Sequence, residues 1–197
     1  MNIKAYHGTN ARFDHFDRTK ARIRNDLYGG GIAYFTDSLE IAKSYARVMS
    51  KKEGIPIVYE VNLNFKKTFD VDQDFTGEEL KKFVFVPNVE DFARGARLMS
   101  SGNRIRTMSD LKNGSMHLNG DQVFRGMSKG MQQTAFARKN LEKMGYDSLR
   151  YNGGLMEMSA IKHNVYLAYD PRSITIRERY VVAPPGDNSR IDNYKFI

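Results

Sequence analysis

Residues that could do chemistry gather in three short segments of the 197-residue chain: Tyr6-His7-Gly8-Thr9, Gly31-Ile32-Ala33-Tyr34-Phe35-Thr36, and Asn164-Val165-Tyr166-Leu167-Ala168-Tyr169-Asp170. Tyr45 follows eleven residues after Tyr34. Together they offer an imidazole, glycine backbone that a ligand can approach closely, and aromatic rings. Other chemistry is excluded by absence. The chain has no cysteine, which removes disulfides, thiol nucleophiles and Cys-based zinc or iron–sulfur sites. Its four histidines, at 7, 15, 117 and 163, lack metal-ligand spacing, and there is no HExxH, so no metal is expected.

The elements that position these segments are legible as patterns. Residues 2–7 alternate as a strand, and Gly29-Gly30-Gly31 is a tight turn before the apolar run Ile32 to Phe35. Asp37 with Glu40 reads as a capping box. The helix behind it places Ile41, Ala42, Tyr45, Ala46 and Met49 on one face and stops at Gly54. Ile57, Tyr59, Val61 and Leu63 alternate as a half-buried strand. Helices are expected near 77–84, 88–100 and 129–144. Strands return at 147–151, at Val165 to Tyr169, and from Ile174 toward Val182. Strands at both ends with helices between them indicate α+β. The organisation expected is one domain over 1–182 with a helical insertion at about 77–144, and a loosely held, turn-rich tail over 183–197.

Taken in order, the three segments resemble the ADP-ribosyltransferases of the diphtheria-toxin and poly(ADP-ribose) polymerase clade, most closely those of phage and bacterial mobile elements. That clade reads as His, Tyr and Glu from three strands. The resemblance covers roughly residues 4–65 and 145–176. It implies two small packed antiparallel sheets with NAD in the cleft between them. It also implies roles: His7 on a ribose 2′-hydroxyl, the Gly8 backbone on the nicotinamide amide, Tyr34 as the motif tyrosine, and Tyr45 stacked on the nicotinamide face. Thr9, Gly31 and Phe35 complete the cofactor-binding set. Cleavage of the nicotinamide–ribose bond passes through an oxocarbenium-like transition state, as in glycoside hydrolysis.

One position departs from the motif. Where the clade has Glu before the third-strand tyrosine, this chain has Val165. Valine can neither accept a hydrogen bond nor stabilise positive charge, and losing such a group typically costs on the order of 10²–10³ in rate. In the resembling family, members with an aliphatic residue here transfer a single ADP-ribose or are inactive, and active ones borrow a carboxylate from the acceptor. Another side chain can take the role instead: His163, two residues before Val165 and about 6.5 Å along the same strand face, or Glu60 or Glu157. The third outcome is a silent site that binds NAD or ADP-ribose without chemistry.

Net charge is +8, from 31 Lys+Arg against 23 Asp+Glu. Such a surface attracts acidic proteins, nucleic acid or anionic cofactors. Arg22 and Arg24 read as solvated surface, and Phe83, Phe85, Phe92 and Phe124 as core rather than a base-stacking platform. No apolar run approaches the roughly 20 residues of a membrane span, and MNIKAYHG carries no signal-peptide core. The expectation is a cytoplasmic enzyme, in a host's cytoplasm if phage-encoded. It is a mono-ADP-ribosyltransferase acting from NAD on a macromolecular acceptor, protein before nucleic acid. The rivals are a silent binding module, an NAD glycohydrolase and a basic nucleic-acid binder. Oligomeric state is not legible.

Overall fold

The computed structural model describes residues 2–19, 28–50, 54–84, 89–98, 104–129, 133–153 and 161–183. In chain order the elements are β1 (Asn2–Thr9), β2 (Tyr34–Thr36), α1 (Leu39–Ser50), β3 (Ile57–Asn64), β4 (Thr68–Asp70), β5 (Asp74–Phe75), α2 (Gly77–Phe83), α3 (Val89–Gly95) and α4 (Arg104–Asn113). There follow β6 (Leu118–Asn119), α5 (Gly120–Met127), α6 (Thr134–Lys143), β7 (Ser148–Asn152), β8 (Asn164–Ala168), a 3-10 turn (Pro171–Ser173) and β9 (Ile174–Val181). The mixture is α+β, as the sequence indicates.

The chain folds as two compact units. The first comprises Met1–Ala21, Gly31–Lys67 and Arg150–Ile197. Its strands run in the order β7-β8-β2-β1-β3-β9, antiparallel from β8 to β9. Two separate sheets were expected; the hydrogen-bonded order is continuous. Among the joins from β8 to β9, the thinnest is β1 to β2, a single register pair at Tyr6↔Thr36. Successive side chains of a strand alternate between faces, and each face has its own core. Ala5, Phe35, Tyr59, Val61, Leu63, Tyr166 and Ala168 bury one face together with Phe16. Ala42 and Ala46 of α1 cover the other over Val58 and Val182.

Helix α1 begins differently from the pattern read above. Ser38, not Asp37, caps it: the Ile41 amide donates to Ser38 Oγ and the Ala42 amide to its carbonyl. Asp37 instead grips Asn164, accepting from its backbone amide at 2.9 Å and its side-chain amide at 2.7 Å. Glu40 pairs with Lys43. The buried stripe of α1 is also narrower than expected, being Ile41, Ala42 and Ala46, while Tyr45 and Met49 are each 45% exposed.

The second unit, Arg22–Gly30 with Thr68–Leu149, holds α2 to α6. Its core is aromatic: Phe69 stacks on Phe75 at 5.3 Å, and Phe83 and Tyr146 meet Phe69 edge-on. Each such ring contributes about 1.5–3 kcal/mol by burial. Phe83, Phe92 and Phe124 are core residues, as read; Phe85 lies outside the described residues. Gly29 and Gly30 have positive φ, and Arg138 Nη1 donates to the Gly30 carbonyl at 3.1 Å. That turn is therefore a fixed, glycine-requiring bend. Among the described residues no helix is long and apolar enough to cross a membrane.

Candidate active site

His7 stands on β1 one residue past the Tyr6↔Thr36 join. Its Nδ1 lies 2.8 Å from the Tyr34 carbonyl, which can only accept, so Nδ1 carries the proton. A side-chain bond thus replaces the next step of the β1–β2 ladder. The ring sits among Phe16 (5.4 Å), Phe35 (5.7 Å) and Phe13 (6.3 Å). Burial there lowers the His7 pKa, against a smaller opposing effect of the Tyr34 carbonyl. The outcome is a neutral imidazole whose Nε2 is a hydrogen-bond acceptor.

Gly8 is fixed by packing. A Cβ there would lie 2.0 Å from the Ala42 carbonyl oxygen and 2.8 Å from the Ala46 amide nitrogen. Only glycine lets α1 press this closely on β1. Gly31 plays the same part against β8, where a Cβ would come 2.7 Å from the Ala168 carbonyl oxygen that the Ile32 amide bonds at 2.8 Å. Thr9 is buried, and its Oγ1 accepts from the Ala11 amide, turning the chain out of β1.

Register relates the remaining residues. Tyr34 pairs with Leu167 and Thr36 with Val165, so Tyr34 and Val165 share a face of the sheet. Phe35 lies on the opposite face, in the core with the His7 ring. His7 and Tyr34 thus meet through the Tyr34 backbone. Tyr45 presents its ring to solvent from α1.

Val165 is buried and takes the motif position with no charge of its own. His163, also buried, precedes β8, with its Nδ1 2.8 Å from the Ile161 carbonyl oxygen. A Cβ built on Gly153 would meet His163 Nε2 at 2.2 Å and Val165 Cγ2 at 2.7 Å, so the two side chains crowd one point. Glu60 does not stand in for the missing carboxylate. It occupies the same row as Val165 across Thr36 and Tyr6, three strand spacings or about 14 Å away. Its carboxylate is held by Lys4 at 2.9 Å and by the Tyr180 hydroxyl at 3.1 Å. Burial, with the carboxylates of Glu178 and Glu60 that the phenol donates to, pushes the Tyr180 hydroxyl well above its ordinary value. Glu157, Arg22 and Arg24 lie outside the described residues.

Two residues of this region carried no functional signal in the sequence reading. Tyr59, read only as a strand residue, is fully buried. Its hydroxyl accepts from the Phe13 amide at 2.8 Å and reaches the Phe13 and Ala11 carbonyls, and so ties the loop after Thr9 to the sheet. Asp37 locks the start of β8 beside Val165, helped by Arg150, which donates to the Asn164 side chain at 3.0 Å. Among the described residues no group of three or more His, Asp or Glu could hold a metal ion.

No curated protein and no solved structure matches this chain. A family model described as "ADP-Ribosyltransferase in polyvalent proteins" matches residues 1–176, including the stretch between the motif segments that the resemblance did not reach. With the ordered His7, Tyr34, Tyr45 and Asn164–Asp170 segments on the strands and helix described above, the chain belongs to this family of ADP-ribosyltransferases.

Proposed function

We propose that the chain is a mono-ADP-ribosyltransferase: it takes NAD as donor, releases nicotinamide and passes one ADP-ribose to a macromolecular acceptor, a protein before a nucleic acid. The observation that carries this reading is the His7 imidazole, neutral and fixed in one tautomer by the Tyr34 carbonyl at the one-pair join of β1 and β2. An Nε2 lone pair held this way suits a donated ribose hydroxyl. The β1–β2 join, where the ladder gives way, is where we place the division into two sheets and the NAD cleft. The exposed Tyr45 ring and the Tyr34 ring fit the two faces of a nicotinamide, and the second unit is read as an insertion into this transferase scaffold.

Breaking the nicotinamide–ribose bond puts positive charge on the sugar. At Val165 the chain supplies no carboxylate against that charge, so a carboxylate on the acceptor completes the site. This makes transfer of single units, and not chain growth, the outcome. The buried Val165 also motivates a second reading, a silent module that binds NAD or ADP-ribose and does not turn it over. Hydrolysis of NAD by water is a third.

One experiment separates them. Protein and its His7→Ala variant are incubated with adenylate-labelled NAD, with and without cell extract, and free nicotinamide and macromolecule-bound label are counted. The proposal expects label transfer that needs extract and falls about 10²–10³-fold in His7→Ala. Nicotinamide release without transfer identifies a hydrolase. Binding without release, with acceptors present, identifies the silent module. Unchanged transfer by His7→Ala would refute the site.

A further inference from the structure

Helix α6 reaches the glycine turn that precedes β2. Arg138 Nη1 donates to the carbonyls of Gly30 at 3.1 Å and Gly29 at 3.4 Å. Gly30 is joined by one peptide bond to Gly31, and Tyr34 opens β2 three residues later. We propose that Arg138 is a positioning residue for the NAD site: from the second unit it holds the turn that sets the course of the chain into Gly31 and β2. This rests on the reading of the chain as an NAD-dependent transferase, and it gives the inserted helices a role in that activity.

The argument begins with what a pair of glycines lacks. Gly29 and Gly30 sit at φ +79° and +65°, in the left-handed region. Glycine enters that region without strain and leaves it as freely, because no Cβ limits its backbone. Such a turn keeps one shape when its surroundings impose it, and α6 does so twice. A Cβ on Gly29 would lie 2.3 Å from the Thr134 carbonyl oxygen and 3.1 Å from the Ala135 amide nitrogen, so the first turn of the helix lies directly against the glycine. One helical turn on, Arg138 gathers the two consecutive carbonyls onto a single nitrogen. The helix is itself held, packing against α5 and burying Thr134, Ala137 and Leu141.

The second support is the state of the guanidinium. Its Nε is buried and, among the described residues, meets no acceptor. A buried donor left this way is rare and costly, and it shows that the side chain is oriented for the two carbonyls and not for its own satisfaction. A cationic donor also makes a stronger hydrogen bond to a carbonyl than a neutral one does. Beyond the turn the chain is pinned again, by the Ile32 amide on the Ala168 carbonyl at 2.8 Å. Between these anchors lies Gly31, which the family resemblance puts in the cofactor-binding set, and its backbone is set from both ends.

Three measurements test this: steady-state NAD turnover, titration calorimetry with NAD, and amide hydrogen exchange. They are made on the intact protein and on Arg138→Gln, Arg138→Lys and Phe83→Leu. Phe83 lies in the aromatic core of the second unit, and its variant controls for lost stability alone. In Arg138→Gln the KM for NAD should rise about tenfold with kcat within about twofold, and the Kd for NAD should rise in step. Arg138→Lys keeps the charge without the planar fork. It should fall between, at about threefold, and stands as the test if Arg138→Gln does not fold. Exchange across residues 28–36 should quicken in the Arg138 variants. Phe83→Leu should lower the melting temperature and leave KM and Kd as in the intact protein. Unchanged NAD affinity in the Arg138 variants overturns the proposal, as does unchanged exchange across 28–36 or an equal rise of KM in Phe83→Leu. Failure of the transferase reading shows instead in the intact protein. If it binds NAD without consuming it, that reading falls while the Kd still tests Arg138; if it binds no NAD, both fall.

Discussion

Against β3, strand β1 pairs at every residue from Asn2↔Asn64 to Thr9↔Ile57, whereas against β2 it pairs once, at Tyr6↔Thr36. The β3 flank is a complete ladder continued by β9 and sealed by α1, where Gly8 lets helix backbone meet strand backbone. The β2 flank is held by one backbone pair and one histidine. On the role proposed for His7, stability and recognition fall on opposite sides of one strand. The ladder pairs β1 along its whole length, and the thin join leaves His7 with an imidazole nitrogen that no ladder partner occupies.

The comparison can be broken at its strong side first. Gly8→Ala should destabilise the protein by about 3 kcal/mol, because overpacking against the Ala42 carbonyl outweighs the roughly 0.5–1 kcal/mol that alanine gains over glycine in a strand. Denaturant melts check this, and an unchanged midpoint would mean that α1 is not fixed by close approach to β1. On the weak side, Val165→Glu should raise nicotinamide release by about 10²-fold if the missing carboxylate limits the rate, with a lower melting temperature from burying the charge. A rate left at its starting value would show that another group already supports the sugar.

A pH series sharpens the role of His7. Its lowered pKa means the folded state binds fewer protons than the unfolded chain near pH 6, so stability rises with pH there. The contribution is whole above about pH 6.5, the ordinary histidine value, and is lost as pH falls through the lowered one. Turnover should follow the same course, level at neutral pH and falling on acidification, because protonated Nε2 cannot accept. His7→Gln should flatten the stability profile; a rate that climbs as the pH drops would contradict the neutral imidazole. The smallest effect belongs to the clasp beyond the join: Asp37→Ala should cost about 1 kcal/mol in a melt, since both its hydrogen bonds to Asn164 are exposed.

The strong flank was the legible one. Alternation at Ile57, Tyr59, Val61 and Leu63 and at Ile174 and Ile176 specifies strands, and the structure has them, although Val58 of β3 is buried as well, on the other face beneath α1, and Ile174 and Ile176 are only half-buried. The helix α1 was legible as a helix but its inner face was not. Counting residues puts Tyr45 beside Ile41 and Ala42, yet the backbone approach at Gly8 admits only small side chains and leaves the tyrosine outside. The cap was misread for a related reason. Asp37 and Ser38 are both cap-type residues, and what decides between them is Asn164, 127 residues further on. In the second unit α5 did carry a local signal, the reciprocal Asn119 and Gln122 capping box ahead of Val123, Phe124 and Met127, which the reading of the middle passed over. The join at β1–β2 leaves no mark in either strand, because a missing ladder is a property of the pair.

The hydroxyl of Tyr59 has a consequence for how such a chain can drift. By bonding backbone at Ala11 and Phe13, it fixes the length of the loop after Thr9 without constraining what that loop displays. An inserted or deleted residue there would cast off the whole tether, but the tether's hydrogen bonds go to backbone at 11 and 13, so the side chains at 10 and 12 can change without loosening it. The loop is a frame with two blanks. Changes of display in chains built this way would be written in those two letters, and the strand that carries His7 would not have to move.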